Sequence, residues 1–380
     1  MNKNIVIIYG GESTEHDVSV ITALQIFKRY KTNKYNINLL YLSRDGKMLI
    51  GAPLCDFKTY KNKNFKKCKE VVLLAGRKTL YSLSKRGKLK ALFDIDFVLD
   101  CCHGGSGENG GLTALFKMAK IPISTGDVAG MAISMDKHLT KCFLTALKIP
   151  CVEHFAISYE EWVLSRDKFL SAAEKLTFPV VVKPSKQGSS VGVAFADDEK
   201  GFIKSVELGF KYDTEVIVEK AICNKREFNC CLVRTKSGVT ASKIEEPKAN
   251  KVIIDFRDKY LSGNASKKGG VKQPSTNLSG MDASEREFPA KISKQLEDKI
   301  VNYSKRFYEG ANLNGVVRID FIYDEDTKKL YLSEANTIPG SLGYYFFDAE
   351  SYLENIVSGS EKYWREIFDK LSETPDAKIF

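Results

Sequence analysis

Short apolar runs alternate with segments of helical periodicity along the first part of the chain. Residues 4–9 form an apolar, β-branched run that ends at Gly10 and Gly11, residues 18–30 repeat apolar positions at helical spacing, and residues 36–42 form a second apolar run. This order predicts a strand, a glycine loop, a helix and a second strand. Such an α/β opening is typical of sheets that bind ligands at the carboxyl ends of their strands.

Polar residues occupy the loop between the first strand and helix, and Glu15 is the candidate for chemistry among them. An acidic residue before a helix also stabilises the positive end of the helix dipole, so both interpretations stay open. Residues 45–93 are basic and irregular, with a small hairpin predicted from the apolar runs at 71–74 and 80–83. We expect this part to be an elaboration of the first domain.

A glycine-rich segment lies between a predicted strand at residues 96–102 and a predicted helix at 112–119. It matches the Gly-x-Gly-x-x-Gly pattern of dinucleotide sites, but the same glycines suit a tight turn under any anionic ligand at a helix N-terminus. His103 follows the strand. Because strand ends border the ligand crevice in such sheets, His103 is either a binding residue or a structural histidine.

The remaining elements follow from the same periodicities. Helices are expected at residues 136–147, 162–175, 290–308 and 361–371, and strands at 121–124, 215–220 and 227–234. Residues 255–275 are rich in Gly, Lys and Ser and form a long loop, which is typical of an active-site lid. Lys259 and Tyr260 are the working residues expected in it.

A strand that carries Lys183 continues into a loop that contains Gly188, Ser189 and Ser190. Backbone N–H groups and hydroxyls of such a loop can hold phosphates, and the lysine supplies a point charge. No Gly-Lys-Ser or Gly-Lys-Thr sequence follows, so the loop is not of the P-loop type. A polar β-turn is the alternative.

Residues 315–340 form two β-rich runs joined by a polar turn, and the predicted site is organised around them. If Asp320 pairs with Glu334, Arg318 falls opposite Asn336, and the four side chains share one face because strand side chains alternate. Two carboxylates and an amide oxygen suit Mg²⁺, which prefers oxygen ligands completed by substrate phosphates. A solvated strand face with a cross-strand ion pair is the alternative.

Composition narrows the classes of function. The chain has 380 residues, enough for two or three domains, and a net charge of +10. Its basic clusters at residues 58–69 and 85–90 do not have aromatic residues interleaved as stacking platforms, so we expect no nucleic-acid partner. Its apolar runs are too short for a spanning helix or a signal peptide, and its nine cysteines include no Cys-x-x-Cys pair. These features predict a cytoplasmic protein with no membrane partner and with buried free thiols, Cys142 among them.

Six motifs, in order, resemble those of the D-alanine–D-alanine ligases of the ATP-grasp superfamily. They are GGESTEHDVS (10–19), HGGSGENG (103–110), MDKHLTK (135–141), VVKPSKQGSSVGV (181–193), DKYLSG (258–263) and RIDFIYDEDTKKLYLSEANTIPG (318–340). The resemblance covers most of residues 4–345 and implies an α/β architecture, in which an N-terminal Rossmann-like domain precedes an ATP-grasp fold. It predicts domains at residues 1–133, 134–223 and 224–380, the last containing the lid and the hairpin.

The resemblance also implies a role for each candidate residue. Catalytic roles fall to Glu15, Ser189, Tyr260, Arg318 and Gly340, and amino-acid binding to His103, Glu15, Gly340 and Ser341. ATP would be held by Lys137, Lys183, Ser189, Ser190, Glu219, Lys220, Glu227 and Lys259, and two Mg²⁺ ions (or Mn²⁺) by Asp320, Glu334 and Asn336. The implied partners are small amino-acid substrates, and a homodimer is possible.

The acceptor half of the pattern departs from the family. Tyr345 stands where the family has a serine that helps hold the second substrate's carboxylate, and Asn109 replaces the usual aspartate. The leading function is ATP-dependent joining of two D-alanines through an acyl phosphate, for peptidoglycan synthesis. The first alternative is a related ligase with another amino acid, a hydroxy acid or a small peptide as second substrate. A nucleotide-binding module without turnover and a nicotinamide-dependent oxidoreductase are further alternatives.

Overall fold

The computed structural model of the chain describes residues 2–30, 33–248, 286–347 and 351–373. The predicted lid, with Lys259 and Tyr260, lies outside the described residues. The described part is mixed α/β and contains three β-sheets that follow one another along the chain. Within that part, every helix is too short or too polar to cross a bilayer.

The N-terminal sheet has seven strands. They are β1 (Lys3–Gly10), β2 (Tyr35–Leu42), β3 (Met48–Ile50), β4 (Lys69–Leu73), β5 (Thr79–Leu83), β6 (Leu89–Asp94) and β7 (Phe97–Asp100), accompanied by helices α1 (His16–Arg29), α2 (Phe57–Lys61), α3 (Gly105–Glu108), α4 (Gly111–Met118) and α5 (Val128–Met135). The strand order is β6-β5-β4-β3-β2-β1-β7. Strand β1 pairs in parallel with β2 and β7, and six of its eight residues are buried, as its apolar sequence predicts for an interior parallel strand. The other pairs are antiparallel, and β4 and β5 form the predicted hairpin.

The central sheet has four antiparallel strands in the order β10-β9-β11-β8. Its elements are α6 (Lys137–Ala146), β8 (His154–Ser158), α7 (Tyr159–Leu164), α8 (Arg166–Leu176), β9 (Val180–Pro184), β10 (Ala194–Ala196), α9 (Glu199–Gly209) and β11 (Glu215–Lys220). Val180 and Val182 of β9 join a core with Phe169 and Phe202 of the helices. Because strand side chains alternate, Lys183 points to the opposite face of the sheet.

The C-terminal sheet has five strands in the order β14-β13-β12-β15-β16. Its elements are β12 (Lys225–Thr235), β13 (Gly238–Pro247), β14 (Arg286–Glu287), α10 (Lys294–Gly310), β15 (Val316–Asp324), β16 (Lys329–Asn336) and α11 (Tyr352–Glu373). Ile319 and Phe321 of β15 pack against Ile300 and Phe307 of α10. The polar residues between them therefore face away from α10, and this alternation presents the predicted site face.

Helix α11 connects the last sheet to the first. Trp364 is fully buried in the core of the N-terminal sheet, and its Nε1–H donates to the Ile123 carbonyl at 2.7 Å. Gly359 lies against β12, where a Cβ would come 2.0 Å from the Arg234 carbonyl oxygen. The close approach requires glycine, and it fixes α11 across both sheets.

Four local predictions were wrong. The segment 162–175 is not one helix but parts of α7 and α8, because the chain leaves helical geometry at Ser165 (φ −145°, ψ 45°). Residues 121–124 form only an isolated bridge between Ile123 and Val98 rather than a strand. The last helix begins at Tyr352, well before residue 361, since buried residues extend its apolar face. Cys142 is exposed, because the polar face of α6 carries it, although Cys101, Cys102, Cys230 and Cys231 are buried free thiols as predicted.

Candidate active site

The β15–β16 hairpin has the predicted register. Asp320 lies opposite Glu334 and Arg318 opposite Asn336, and the register then shifts, because Phe321 pairs with Leu332. The extra residue is a β-bulge next to the two carboxylates, which locally increases the twist of the strand. All four polar side chains line one cavity, so the prediction that they share a face is confirmed.

The hairpin side chains contact one another through charge-assisted hydrogen bonds. The Arg318 guanidinium donates to both carboxylate oxygens of Asp320 at 2.7 Å, and Asn336 Nδ2 donates to Asp320 Oδ2 at 2.8 Å. Asp320, Glu334 and the remaining amide oxygen form an all-oxygen donor set, which fits Mg²⁺ better than it fits softer metals. Across the described ranges, the hairpin included, no group of three or more His, Cys, Asp or Glu could hold a metal alone. A metal at the hairpin would therefore take further oxygens from a substrate.

Lys137 approaches this face from the first position of α6. The carboxylate of Asp136 caps the helix by accepting from the backbone N–H groups of His138 and Leu139 at 2.9 and 3.1 Å. The Lys137 ammonium donates to the Gln187 carbonyl at 2.5 Å. Burial lowers the pKa of Lys137, because it disfavours the charged ammonium. An anionic group bound beside Lys137 would stabilise the charged form.

Lys183 forms part of a buried triad of charges. The Glu219 carboxylate lies 2.7 Å from the Lys183 ammonium and 2.9 Å from that of Lys141, a residue that the sequence analysis did not single out. Burial alone would raise the pKa of Glu219, but Lys141 and Lys183 outweigh burial and hold it well below its usual range. Burial likewise lowers the pKa of Lys183, and the charge of Glu219 outweighs that effect, so the net pKa is raised. Lys183 therefore stays charged.

The far end of the cavity combines apolar walls with Lys220 and Glu227. Lys220 ends β11, and Glu227, on β12, lies 2.6 Å from the ammonium of Lys225. Apolar residues also line the cavity: Val152, Val181, Phe195, Ile222 and Ile322. An apolar slot accompanied by polar groups suits a nucleotide base and its sugar.

The glycine-serine loop after β9 reaches back to the N-terminal domain. The Ser189 hydroxyl donates to the Glu15 carboxylate, which is buried immediately before α1. Ser189 and Ser190 have positive φ values of 50° and 60°, and a Cβ on Gly188 would lie 2.5 Å from Glu15 Oε2. The loop thus has to contain glycine to close over Glu15, and the polar β-turn alone does not explain this contact.

His103 follows β7 and lines the cavity. Its Nε2 is 2.9 Å from the Thr22 hydroxyl. Burial and the positive charge of Arg318 lower the pKa of His103 to about 4, so the ring is neutral at pH 7. This contact joins the glycine-rich segment to α1, and the segment forms a short helical turn instead of a dinucleotide loop.

Glu108 was missed by the sequence analysis, although it belongs to the quoted HGGSGENG motif. Its carboxylate accepts from the backbone N–H of Gly104 at 2.8 Å, from that of Ile338 at 3.1 Å and from the Thr337 hydroxyl at 3.3 Å. Burial, followed by the negative charge of Glu15, raises its pKa to about 7. The residue ties the N-terminal glycine turn to the end of β16 and so positions the turn that leads to Gly340.

The two residues after Pro339 face different surroundings. Gly340 lines the cavity, whereas Ser341 is buried behind it. The Ser341 hydroxyl donates to Gln25 Oε1 at 2.6 Å and its N–H donates to the Thr22 hydroxyl at 3.3 Å, so both of its polar groups are directed at α1. Tyr345, the residue that departs from the family pattern, packs outside the cavity with the Arg286 guanidinium 4.1 Å from its ring centroid.

The cavity that these elements enclose has a volume of about 250 Å³. Fourteen predicted residues line it: Glu15, His103, Lys137, Lys183, Ser189, Ser190, Glu219, Lys220, Glu227, Arg318, Asp320, Glu334, Asn336 and Gly340. The lining also includes Glu108, Gln187 and Asn229, which were not predicted. The arrangement places oxygen ligands, buried cations and a buried carboxylate around one space, as transfer of a phosphoryl group to an amino acid requires.

Known proteins match the chain over most of its length. Residues 4–125 match the family described as D-ala D-ala ligase N-terminus, and residues 143–349 match D-ala D-ala ligase C-terminus. A D-alanine–D-alanine ligase of Thermosipho melanesiensis is 32% identical over 369 residues, covering 95% of this chain and 94% of the relative. The ligase of Thermosipho africanus is 30% identical over 365 residues, covering 93% and 92%.

Solved structures confirm the predicted fold. The D-alanine–D-alanine ligase of Coxiella burnetii superposes with a TM-score of 0.77 at 21% identity, covering 98% of this chain and 97% of that one. A D-Ala:D-Ser ligase of Enterococcus faecalis superposes with a TM-score of 0.73 at 23% identity, covering 97% and 100%. The chain therefore belongs to the D-alanine–D-alanine ligase family of ATP-grasp enzymes, which form carbon–nitrogen bonds.

Proposed function

We propose that the chain joins two D-alanine molecules at the expense of ATP and so makes D-alanyl-D-alanine for peptidoglycan synthesis in the cytoplasm. The observation that carries the proposal is the cavity itself, which the hairpin carboxylates, Lys137, Lys183 and Glu15 all line. A carboxylate is a poor electrophile, so the first D-alanine has to be converted to an acyl phosphate before an amine can attack it. The residues divide between these two steps.

The first step places negative charge around the transferring phosphoryl group. Lys137 and Lys183 offset that charge, and the loop at Ser190 offers backbone N–H groups to the phosphates. Asp320, Glu334 and Asn336 would hold Mg²⁺, which neutralises phosphate charge when it is bound. The apolar slot beside Glu219 and Lys220 would hold the adenine, and Glu227 would bind the ribose.

The second step builds a tetrahedral centre on the acyl phosphate. Glu15, oriented by Ser189, would bind the ammonium of the first D-alanine and hold it beside the phosphoryl donor. Arg318 and the Gly340 N–H would stabilise the oxyanion that forms when the second amine attacks. The neutral His103 adds no positive charge that would repel the substrate ammonium.

A phosphate-release assay tests the proposal. Purified protein with ATP, Mg²⁺ and D-alanine should release phosphate and yield a product with the mass of D-alanyl-D-alanine, whereas L-alanine should give neither. Glu334→Ala, which removes one proposed metal ligand, is the matched inactive control. Phosphate release that does not depend on D-alanine would contradict the assignment of substrate.

The second candidate is a ligase of the same mechanism with a different acceptor. The aromatic segment at residues 344–347 favours it, because Tyr345 replaces the expected serine and its buried hydroxyl has no hydrogen-bond partner among the described residues. Replacing D-alanine by pairs of D- and L-amino acids in the same assay separates the two. Phosphate release that requires two different amino acids, together with a product that has the mass of the mixed dipeptide, would favour this candidate.

A further inference from the structure

The positive charge of the chain is concentrated in one part of the N-terminal sheet. Residues 43–94, which contain β3 to β6 and α2 and are called the β3–β6 extension below, include fourteen Lys or Arg and four Asp or Glu. The extension thus accounts for the whole net charge of +10, and the other residues carry equal numbers of basic and acidic side chains. A net charge that lies at one edge of a sheet gives that edge a positive electrostatic potential, which attracts anionic partners to it.

These basic side chains are exposed and mostly unpaired. All fourteen are exposed to solvent. Arg44 lies 3.5 Å from Asp17 and Lys47 lies 2.7 Å from Asp45, while the other twelve have no carboxylate within 4 Å among the described residues. The extension therefore presents cations that the fold itself does not neutralise, and a partner could pair with them.

Aliphatic side chains are exposed beside these charges. Leu74 and Leu89 of the extension are 36% and 44% exposed, and Leu89 lies between Lys88 and Lys90. Met118, 63% exposed, adjoins the β4–β5 turn, since the Gly76 N–H donates to its carbonyl at 3.1 Å. Cations beside exposed aliphatic groups match a surface of anionic headgroups over acyl chains.

Aromatic positions argue against a nucleic acid as the occupant. Phe57, Tyr60 and Phe65 of the extension pack against the N-terminal core, and Tyr81 and Phe93 are half-buried. Single-stranded nucleic acids are usually bound by exposed aromatic platforms on which bases stack. The extension offers charge without such platforms.

We propose that the β3–β6 extension is a docking surface for an anionic phospholipid bilayer, which the protein binds peripherally. The described helices do not cross a bilayer, so the contact is electrostatic with shallow insertion of Leu74, Leu89 and Met118. Each basic residue near an anionic surface adds about fivefold in affinity, so removing four should weaken binding at least about 100-fold. Binding should also weaken as salt is raised, because the charges are exposed.

Vesicle co-sedimentation tests the proposal with the intact protein. The probes are vesicles of phosphatidylcholine alone and of phosphatidylcholine mixed with phosphatidylglycerol. The test variant combines Lys85→Glu, Arg86→Glu, Lys88→Glu and Lys90→Glu, and the control combines Lys175→Glu, Lys200→Glu, Lys204→Glu and Lys211→Glu, four exposed lysines of the central domain. Both variants have the same net charge and leave the cavity intact, so unchanged ATP turnover verifies folding.

The expected result is binding of the unmodified protein to the mixed vesicles only, a loss of at least about 100-fold in the extension variant and little change in the control. Equal losses in both variants would show a general charge effect and overturn the proposal. Failure of the unmodified protein to bind the mixed vesicles at low salt would also overturn it. So would tighter binding of single-stranded DNA or RNA that the extension variant abolishes, because the surface would then recognise nucleic acid.

Discussion

Replacement of Lys141 by methionine tests the buried charge triad. Lys141 is fully buried, and its ammonium lies 2.9 Å from the Glu219 carboxylate, which Lys183 also contacts at 2.7 Å. Removing one partner of a buried ion pair costs about 3–5 kcal/mol of unfolding free energy, because the other charge is left uncompensated. The Lys141→Met variant keeps Lys183, and methionine fills much of the volume of the lysine side chain. We therefore expect the unfolding free energy to fall by about 3 kcal/mol, the lower end of this range.

Urea unfolding at neutral pH measures this loss, and Lys117→Met is the matched control. Lys117 lies 2.7 Å from Asp127, but the two side chains are 30% and 28% exposed. An ion pair open to water contributes at most about 1 kcal/mol, so the control should be much less destabilised. Equal losses in the two variants would refute the reasoning, as would a Lys141→Met protein more stable than the unmodified one.

The effect of Lys141→Met should depend on pH in a defined direction. The lysines hold the pKa of Glu219 below its ordinary value of 4.5, so the stabilisation is fully present above about pH 4.5 and is lost as the pH falls towards the folded-state value. The difference between the variant and the unmodified protein should therefore shrink on acidification below about pH 4.5. A difference that grows on acidification would contradict the assignment.

Three further predictions concern residues that line the cavity, and a fourth concerns Tyr345, which packs outside it. Glu334→Ala should lower phosphate release at least about 100-fold with an unchanged unfolding midpoint, and near-normal release would contradict the metal assignment. Ser189→Ala removes the hydrogen bond to Glu15 and should lower kcat/KM for D-alanine about 10- to 100-fold. A decrease in kcat/KM of less than about twofold would show that catalysis does not need this contact. Burial raises the pKa of Glu108 to about 7, so the free energy of unfolding should fall as the pH rises through 7. Glu108→Gln should abolish this pH dependence, which urea unfolding at several pH values measures. Tyr345→Ser should change acceptor preference in the amino-acid panel, and an unchanged preference would remove Tyr345 from the account of specificity.

The hairpin register could be predicted because it rests on local rules. Side-chain alternation and the length of the polar turn place Asp320 opposite Glu334 without knowledge of the rest of the fold. The strand at β1 and the start of α6 at Asp136 follow from equally local signals, an apolar run and a capping residue. These elements were predicted almost in full.

Long-range contacts could not be predicted from the same signals. Glu108 contacts Thr337, and Lys141 contacts Glu219, only after the sheets have packed. The spacing of these residues along the sequence does not predict either contact. The contact between Ser189 and Glu15 has no local signal either, and only the family resemblance named both residues as catalytic. The helix break at Ser165 was missed because apolar periodicity continues across it, although the backbone does not.

Isotope transfer tests the central claim, that the cavity activates a carboxylate as an acyl phosphate. D-alanine labelled with ¹⁸O at both carboxylate oxygens is incubated with ATP, Mg²⁺ and the protein, and the released phosphate is analysed by mass spectrometry. The account predicts one ¹⁸O atom in each phosphate released with dipeptide formation, because the carboxylate oxygen that attacks the phosphoryl group leaves with it. Unlabelled phosphate accompanying D-alanyl-D-alanine would contradict the account.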